Sequence, residues 1–117
     1  MRLEYISGAD DLAKEAAAAG LPKLNGTAEE IAQAEYIRAE LLDSAELFLR
    51  ESWEQTNGLD DAAVKEHNLQ ALHILGQILV QVRLESSAAW WIDHSCGDGA
   101  CLLRRVYREQ HPKEIQV

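Results

Sequence analysis

The side chains best suited to metal or redox chemistry gather in one short stretch near the carboxyl end of the chain. They are His94, Cys96, Cys101 and, further on, His111, which together give the pattern H-x-C-x4-C-x9-H. Imidazole nitrogens and thiolate sulfurs are ligands that zinc prefers, and a structural zinc ion takes four of them in a tetrahedron. A glycine-containing turn separates the two cysteines and could wrap an ion. A zinc-stabilised adaptor is therefore one interpretation of the segment from His94 to His111.

The spacing of these residues argues against that interpretation. A short zinc knuckle is usually C-x2-C, and no second cysteine pair accompanies the C-x4-C found here. If a helix begins after the turn, Cys101 lies in its first turn and His111 about 15 Å further along the axis. Arg104 and Arg105 near a helix start could stabilise a redox-active thiolate, but C-x4-C is not the C-x-x-C redox motif. We expect Cys101 to pack as a small apolar residue and Cys96 to be a loop thiol.

Groups for acid–base or nucleophilic catalysis are scattered. His67 and His73 are six positions apart and do not share a helix face, and Glu66 diverges from its neighbour His67. None of the motifs G-x-S-x-G, P-loop, H-E-x-x-H or G-x-G-x-x-G occurs. We therefore predict no catalytic residue, no cofactor and no enzymatic activity.

Two adjacent tryptophans, Trp90 and Trp91, lead into the cysteine corner. On a helix, successive side chains point about 100° apart, so the two indoles cannot share one face. One is expected to enter the core and the other to lie at its rim, where an aromatic ring with a polar N–H is a typical binding anchor. Both are candidate partner-binding residues, and packing of both in the core is the alternative.

The elements that position these residues are predicted to be helices. No segment alternates apolar and polar residues as a half-buried strand does. The first helix is capped by Asp10 or Asp11 and ends at Gly20, a residue suited to the left-handed conformation at a helix end. The chain is predicted to form one all-α domain over residues 1–117, a compact bundle of four to five helices with two long central ones.

The second predicted helix is long and acidic. Thr27 and Glu30 have the spacing of a capping box, and the helix is expected to end near Asn57. Its apolar positions recur in steps of three and four: Ile31, Ala34, Ile37, Leu41, Ala45 and Phe48. Glu46 and Arg50 form a well-oriented i,i+4 pair. Four acids on its outer face are candidate partner-binding residues: Glu40, Asp43, Glu51 and Glu54.

Charge limits the classes of partner. The formal net charge is −9, and residues 27–60 hold nine acids against two bases. Because neutralising phosphates supplies most of the affinity for nucleic acids, the charge argues against direct nucleic-acid binding. It suits a partner with a basic surface, such as a nucleic-acid-binding protein whose groove could be occupied, or else a solvated face that keeps the protein soluble. No apolar run reaches the ~20 residues of a membrane span, and the amino terminus does not read as a signal peptide, so we expect a cytoplasmic protein without membrane contact.

The third predicted helix follows a cap at Asp60 or Asp61 and is apolar on two sides. Such a helix should be covered on two sides or lie at a subunit interface, and a homodimer is the assembly this suggests. Gly76 inside the helix is expected to mark the close approach of another helix. Ser86 or Ser87 is expected to cap a short helix through the tryptophans.

The last predicted helix carries a short basic patch and stops at His111-Pro112. Arg104, Arg105 and Arg108 lie within two turns, with Lys113 beyond them. In an acidic protein, such a patch is expected to complement the helix carboxyl terminus and the acidic helix of the same molecule or its dimer mate.

Two segments, "LPKLNGTAEEIAQAEYIRAELL" and "SSAAWWIDH", resemble a pattern in small, mostly uncharacterised helical proteins of phages and other mobile elements. That pattern is L-P-x-L-x-G-x-x-x-Q-I-x-x-A-E-x-I-R followed downstream by A-x-W-W-I-(D/E). The matching residues are Leu21, Pro22, Leu24, Gly26, Ile31, Ala34, Glu35, Ile37, Arg38, Ala88, Trp90, Trp91, Ile92 and Asp93. The match departs at Glu30, where the family tends to have Gln, and after His94, where it tends to have Arg.

The resemblance implies a related fold and a mobile-element origin, and by itself no activity or catalytic residue. A small, acidic, helical protein of that origin without a catalytic set resembles inhibitors that act by binding, among them anti-CRISPR proteins that occupy a basic nucleic-acid groove. The expectation is an inhibitor of a host defence or nucleic-acid-handling protein. A structural or regulatory helical homo-oligomer is the alternative from another class.

Overall fold

A computed structural model describes residues 3–112, with side chains from residue 8 onward, so Lys113 lies outside the described residues. Over that range the chain forms five helices and no strand. The helices are α1 (Leu3–Ala18), α2 (Ala28–Asn57), α3 (Ala62–Arg83), α4 (Ala88–Asp93) and α5 (Gly99–Gln110). The predicted all-α bundle is confirmed.

Helix α1 begins earlier than the sequence predicts and packs on α2. Asp10 and Asp11 lie inside the helix, so their predicted role as N-caps is wrong. The segment before them rests on α2, where Gly8 lies against the Tyr36 side chain and Ala9 is buried. Because tertiary packing supplies most helical stability in proteins, the helix extends beyond the local capping signal.

Helix ends with strong local signals lie where the sequence predicts them. Gly20 follows α1 with a φ of +83°, and the Leu21 amide donates to the Ala16 carbonyl at 2.9 Å. This is the hydrogen bond of a Schellman motif. At the start of α2, the Glu30 amide donates to Thr27 Oγ1 at 3.1 Å and the Thr27 amide donates to Glu30 Oε1 at 2.9 Å. The predicted capping box is therefore confirmed, as are the end of α2 at Asn57 and N-caps at Asp61 and Ser87.

A buried ion pair holds the loop between α1 and α2 onto α2. Arg38 and Glu35 are only 2% and 3% exposed, and Arg38 Nη2 lies 2.7 Å from Glu35 Oε1. Arg38 Nη1 donates to the Pro22 carbonyl oxygen, also at 2.7 Å. Burying a charge is costly unless it is paired and hydrogen-bonded, and both conditions are met here. Pro22, Glu35 and Arg38 are thus one structural unit.

A second contact joins this loop to the start of α4. The Asn25 amide donates to the Ser86 carbonyl at 2.7 Å, and the Ala88 amide donates to the Asn25 carbonyl at 2.9 Å. Gly26 has a φ of +153°, and a Cβ built there would lie 3.1 Å from the Ala88 Cβ. The loop before α2 and the start of α4 therefore pack against each other.

The core lies where α2, α4, α5 and the last turns of α3 meet. Its buried residues are Leu24, Ala34, Leu41, Leu42, Ala45, Ile78, Leu79, Val82, Ala88, Trp91, Leu102, Leu103 and Val106. Helix α5 begins in contact with α2, where the Gly99 amide donates to Ser44 Oγ at 2.6 Å. A Cβ at Gly99 would overlap the Ala45 backbone and lie 2.6 Å from the Leu41 carbonyl oxygen. This crossing therefore requires glycine.

Helix α3 is covered on two sides only near its carboxyl end. Its buried residues are Ile78, Leu79 and Val82, whereas Val64 and Ile74 are 48% and 39% exposed. The covering helix α5 has 12 residues, about 18 Å, against about 33 Å for the 22 residues of α3. A Cβ at Gly76 would meet no atom within 4 Å, so the close helix contact predicted there is absent within the described chain.

No helix within residues 3–112 has both the length and the apolar character needed to cross a membrane.

Candidate partner-binding surface

The four candidate acids of α2 lie in one stripe along the exposed side of the helix. Glu40, Asp43, Glu51 and Glu54 are all exposed. With Leu47 between them, the steps along the chain are three, four, four and three, which keep every side chain on one helical face. The stripe spans about 21 Å from Glu40 to Glu54. Within the described part of the chain, none of the four carboxylates is in an ion pair.

The middle of this acidic stripe is apolar. Leu47 is 47% exposed and lies four residues from Asp43 on one side and four from Glu51 on the other. It was not predicted as a site residue, although its spacing from the acids was visible in the sequence. Its place between the acids gives this face an apolar centre with a charged rim, the composition of many protein interfaces.

Other charges of the bundle are paired differently from the local prediction. Glu46 binds Arg83 of α3 at 2.7 Å rather than Arg50, so the predicted i,i+4 pair is wrong. Arg105 does not pair with α2 but donates to the Asp93 carbonyl oxygen at 2.7 Å and lies 3.2 Å from the Asp93 carboxylate. The Arg104 guanidinium lies over the Phe48 ring of α2, 5.5 Å from its centre. Glu46, Arg104 and Arg105 thus have tertiary partners, and Arg105 also lies 3.7 Å from Glu109, four residues along its own helix.

The two tryptophans have different environments. Trp91 is 0% exposed, belongs to the core, and its Nε1–H donates to the Glu85 carbonyl at 3.1 Å. Its predicted role as a partner-binding anchor is therefore wrong, because no partner can reach the ring in the folded protein. Trp90 is half-buried, with its ring centre 5.1 Å from that of Trp91 in an edge-to-face arrangement. Trp90 remains a candidate at the rim.

His94 connects α4 to α5 through its ring. The side chain is buried and stacks on Trp90 at 3.9 Å. Its Nδ1 lies 2.9 Å from the Trp90 carbonyl oxygen and its Nε2 lies 3.1 Å from Glu109 Oε1. Both ring nitrogens thus have protein partners, and the contacts of His94 are those of a structural residue.

The two cysteines face each other across the turn before α5. They are free thiols, with Cys101 Sγ 2.7 Å from Cys96 Sγ and 3.1 Å from the Cys96 carbonyl oxygen. The contact with the Cys96 side chain and burial raise the pKa of the Cys101 thiol, and the nearby Asp98 carboxylate adds to this, against an opposing effect of Arg108. A redox-active thiolate needs the opposite shift. Arg104 and Arg105, which were expected to stabilise a thiolate, are not among the residues that shift the pKa of Cys101.

The residues of the H-x-C-x4-C-x9-H pattern do not converge on one point. Besides the contacts of His94, the His111 ring stacks on Tyr107, and its Nδ1 lies 3.1 Å from the Tyr107 carbonyl oxygen. Over the described range, no group of three or more His, Cys, Asp or Glu side chains is arranged to hold a metal ion. The two thiols are the only members of the pattern that touch.

No protein-family model, curated protein or solved structure matches this chain.

Proposed function

We propose that this protein is a non-enzymatic binding module of phage or mobile-element origin that inhibits a host defence or nucleic-acid-handling protein, in the manner of an anti-CRISPR protein. Its contact surface is the acidic stripe of α2, formed by Glu40, Asp43, Leu47, Glu51 and Glu54. The observation that supports the proposal best is the half-exposed Leu47 between carboxylates that have no ion-pair partner in residues 3–112.

The charge of the acidic stripe is complementary to that of a nucleic-acid-binding groove. A groove that holds a phosphate backbone is lined by Arg and Lys, and a row of fixed carboxylates on a helix presents the same sign of charge to it. Charge pairs at the rim guide the approach, and desolvation of Leu47 at the centre supplies stabilisation that salt does not screen. Occupation of the groove excludes the nucleic acid.

The test compares three forms of the protein as bait in a bacterial lysate. One is the wild type and one carries Glu40→Lys, Asp43→Lys, Glu51→Lys and Glu54→Lys. The third is a matched control with the same change of net charge at four exposed acids elsewhere: Asp10→Lys, Asp11→Lys, Asp60→Lys and Glu66→Lys. Circular dichroism verifies that all three are folded. Any captured protein is then purified and its nucleic-acid binding is measured with each form added.

We expect the wild type and the control to capture a basic nucleic-acid-binding protein and to displace its nucleic acid. The stripe variant should bind at least about 10- to 100-fold more weakly, the range typical of lost interface charge pairs. Leu47→Ser, which changes no charge, should weaken binding separately. Equal binding by the stripe variant and the wild type, or binding without displacement, would overturn the proposal.

A further inference from the structure

A continuous groove runs between the uncovered part of α3 and α5, with the carboxyl half of α2 as its floor. Three neighbouring depressions form it, and Leu75 lines all of them. Its other principal lining residues are Phe48, Ala71, Ile74, Arg104 and Tyr107. The groove exists because α5 is too short to cover the first turns of α3, so apolar side chains of α3 remain open to solvent.

The groove has the opposite charge to the rest of the molecule. Although the chain has 20 acids, no Asp or Glu lines any of the three depressions, whereas Arg104 and Arg108 do. Over residues 3–112, neither arginine is in an ion pair. The groove floor is therefore apolar around Leu75, where Ile74 and Tyr107 also line it, and polar where Ser52, Gln55 and Thr56 of α2 line it, and the rim is positively charged.

The same chain carries a surface of matching shape and charge. The acidic stripe of α2 is a helix face with an apolar residue, Leu47, at its centre and carboxylates four and seven positions away on both sides. We propose that a second copy of this chain occupies the groove, with its acidic stripe lying along α3 and α5. Leu47 then faces the apolar floor near Leu75, and the carboxylates of the stripe face Arg104 and Arg108.

Other pairings of two copies are disfavoured by charge. Groove against groove would place arginines opposite arginines, and stripe against stripe would place carboxylates opposite carboxylates. Stripe in groove joins two different patches, so it is either reciprocated in a two-fold dimer or repeated head to tail in a ring or an open chain of copies. It also occupies the surface proposed above for the host partner, so self-association and partner binding exclude each other. The inference itself stands without the proposed function, because it concerns the purified protein alone.

Analytical ultracentrifugation at about 0.15 M salt tests the proposal. At that ionic strength the Debye length of about 8 Å screens the repulsion between distant charges of two −9 molecules while contact pairs persist. The weight-average mass of the wild type should rise above the 13.1 kDa of one chain between about 10 µM and 1 mM, where weak contacts become populated.

Two charge-reversed variants distinguish this contact from others. A two-residue stripe variant, distinct from the four-residue variant above, carries Asp43→Lys and Glu51→Lys, and the groove variant carries Arg104→Glu and Arg108→Glu. Each alone should associate at least about tenfold more weakly than the wild type, because like charges then meet in the contact. Mixed together, they should associate again, since the basic stripe of one fits the acidic groove of the other.

Matched controls carry the same net charge at exposed sites outside both surfaces. Asp10→Lys with Asp11→Lys matches the stripe variant, and Lys14→Glu with Lys23→Glu matches the groove variant; both should associate as the wild type does. Arg108→Glu alone replaces the groove variant if losing the Arg104 contact with Phe48 unfolds the protein. A wild type that stays monomeric at about 1 mM, a mixture that does not associate, or a groove variant that associates like the wild type would overturn the proposal.

Discussion

Substituting Arg38 should destabilise the fold more than any other change of a charged residue described above. In Arg38→Met an unbranched apolar side chain replaces most of the arginine stem, but Glu35 is left buried without its cation, and the Pro22 carbonyl loses a donor at 2.7 Å. Loop and helix are then no longer joined by this contact. The variant tests whether the buried pair holds the amino-terminal part of the bundle together.

The expected magnitude follows from the burial of both partners. Removing one member of a buried ion pair costs about 3–5 kcal/mol, because the other charge stays in the interior uncompensated. Small domains have a total unfolding free energy of about 5–15 kcal/mol, and in a chain of this length the loss corresponds to a fall in Tm of about 10–20 °C. Replacing both partners, in Glu35→Leu with Arg38→Met, removes the orphaned charge and should cost less than about 2 kcal/mol.

Urea denaturation followed by circular dichroism measures the free energies. The wild type, both single variants and the double variant form a cycle, and Arg50→Met on the exposed side of α2 is the control, expected within about 0.5 kcal/mol of wild type. A loss below about 1 kcal/mol in Arg38→Met, or a double variant as unstable as the sum of the single variants, would refute the reasoning.

Three further predictions concern packing and the thiol corner. Gly99→Ala should destabilise the protein by about 1–3 kcal/mol or more, because the added Cβ meets the α2 backbone. Gly76→Ala should stabilise the protein by up to about 1 kcal/mol, because the added Cβ meets open space. Thermal unfolding measures both changes. Trp91→Ala should cost about 3–5 kcal/mol in the same assay, and a loss under about 1 kcal/mol would contradict its place in the core. Cys101 should be alkylated more slowly than a free thiol peptide at neutral pH, because contact with Cys96 and burial raise its pKa. The alkylation rate of Cys101 should therefore keep rising at pH values where the rate of the peptide has reached its plateau. Cys96→Ser should speed the reaction, because it removes the contact with the Cys96 thiol. Equal rates would contradict the raised pKa.

Local signals in the sequence were sufficient to place most helix ends. The capping box of Thr27 and Glu30, the N-cap Asp61 and the left-handed Gly20 each depend on residues within a few positions of one another. These residues act on neighbouring backbone at a helix end, so their spacing in the sequence predicts where a helix begins or ends. The first turns of α1 were missed because part of their support comes from α2, where Gly8 lies against Tyr36, a residue distant in sequence.

The buried pair was visible in the periodicity but was not interpreted. Arg38 lies four residues after Ala34 and three before Leu41, in register with the buried side of α2. A charged residue on the buried side of a helix needs a buried partner of opposite charge. Glu35, three residues earlier, was the available partner. The Pro22 carbonyl as third member could not be predicted, because it requires the path of the loop.

The candidate surface was predicted in part. The acidic stripe follows from helical spacing alone, and Leu47 could have been added from the same spacing. Which tryptophan enters the core depends on how the six-residue α4 is oriented on α2, and no local rule fixes that orientation. Likewise, the exposed face of α3 depends on the length of α5, so the groove became evident only in three dimensions.

One comparison of affinities tests most directly whether the acidic stripe of α2 is the contact surface. The affinity of a purified host partner is measured for the wild type, for the variant reversed at Glu40, Asp43, Glu51 and Glu54, and for the matched control reversed elsewhere. We predict that the control binds as the wild type does and that the stripe variant binds at least about tenfold more weakly. Equal affinity for all three folded proteins would contradict the account.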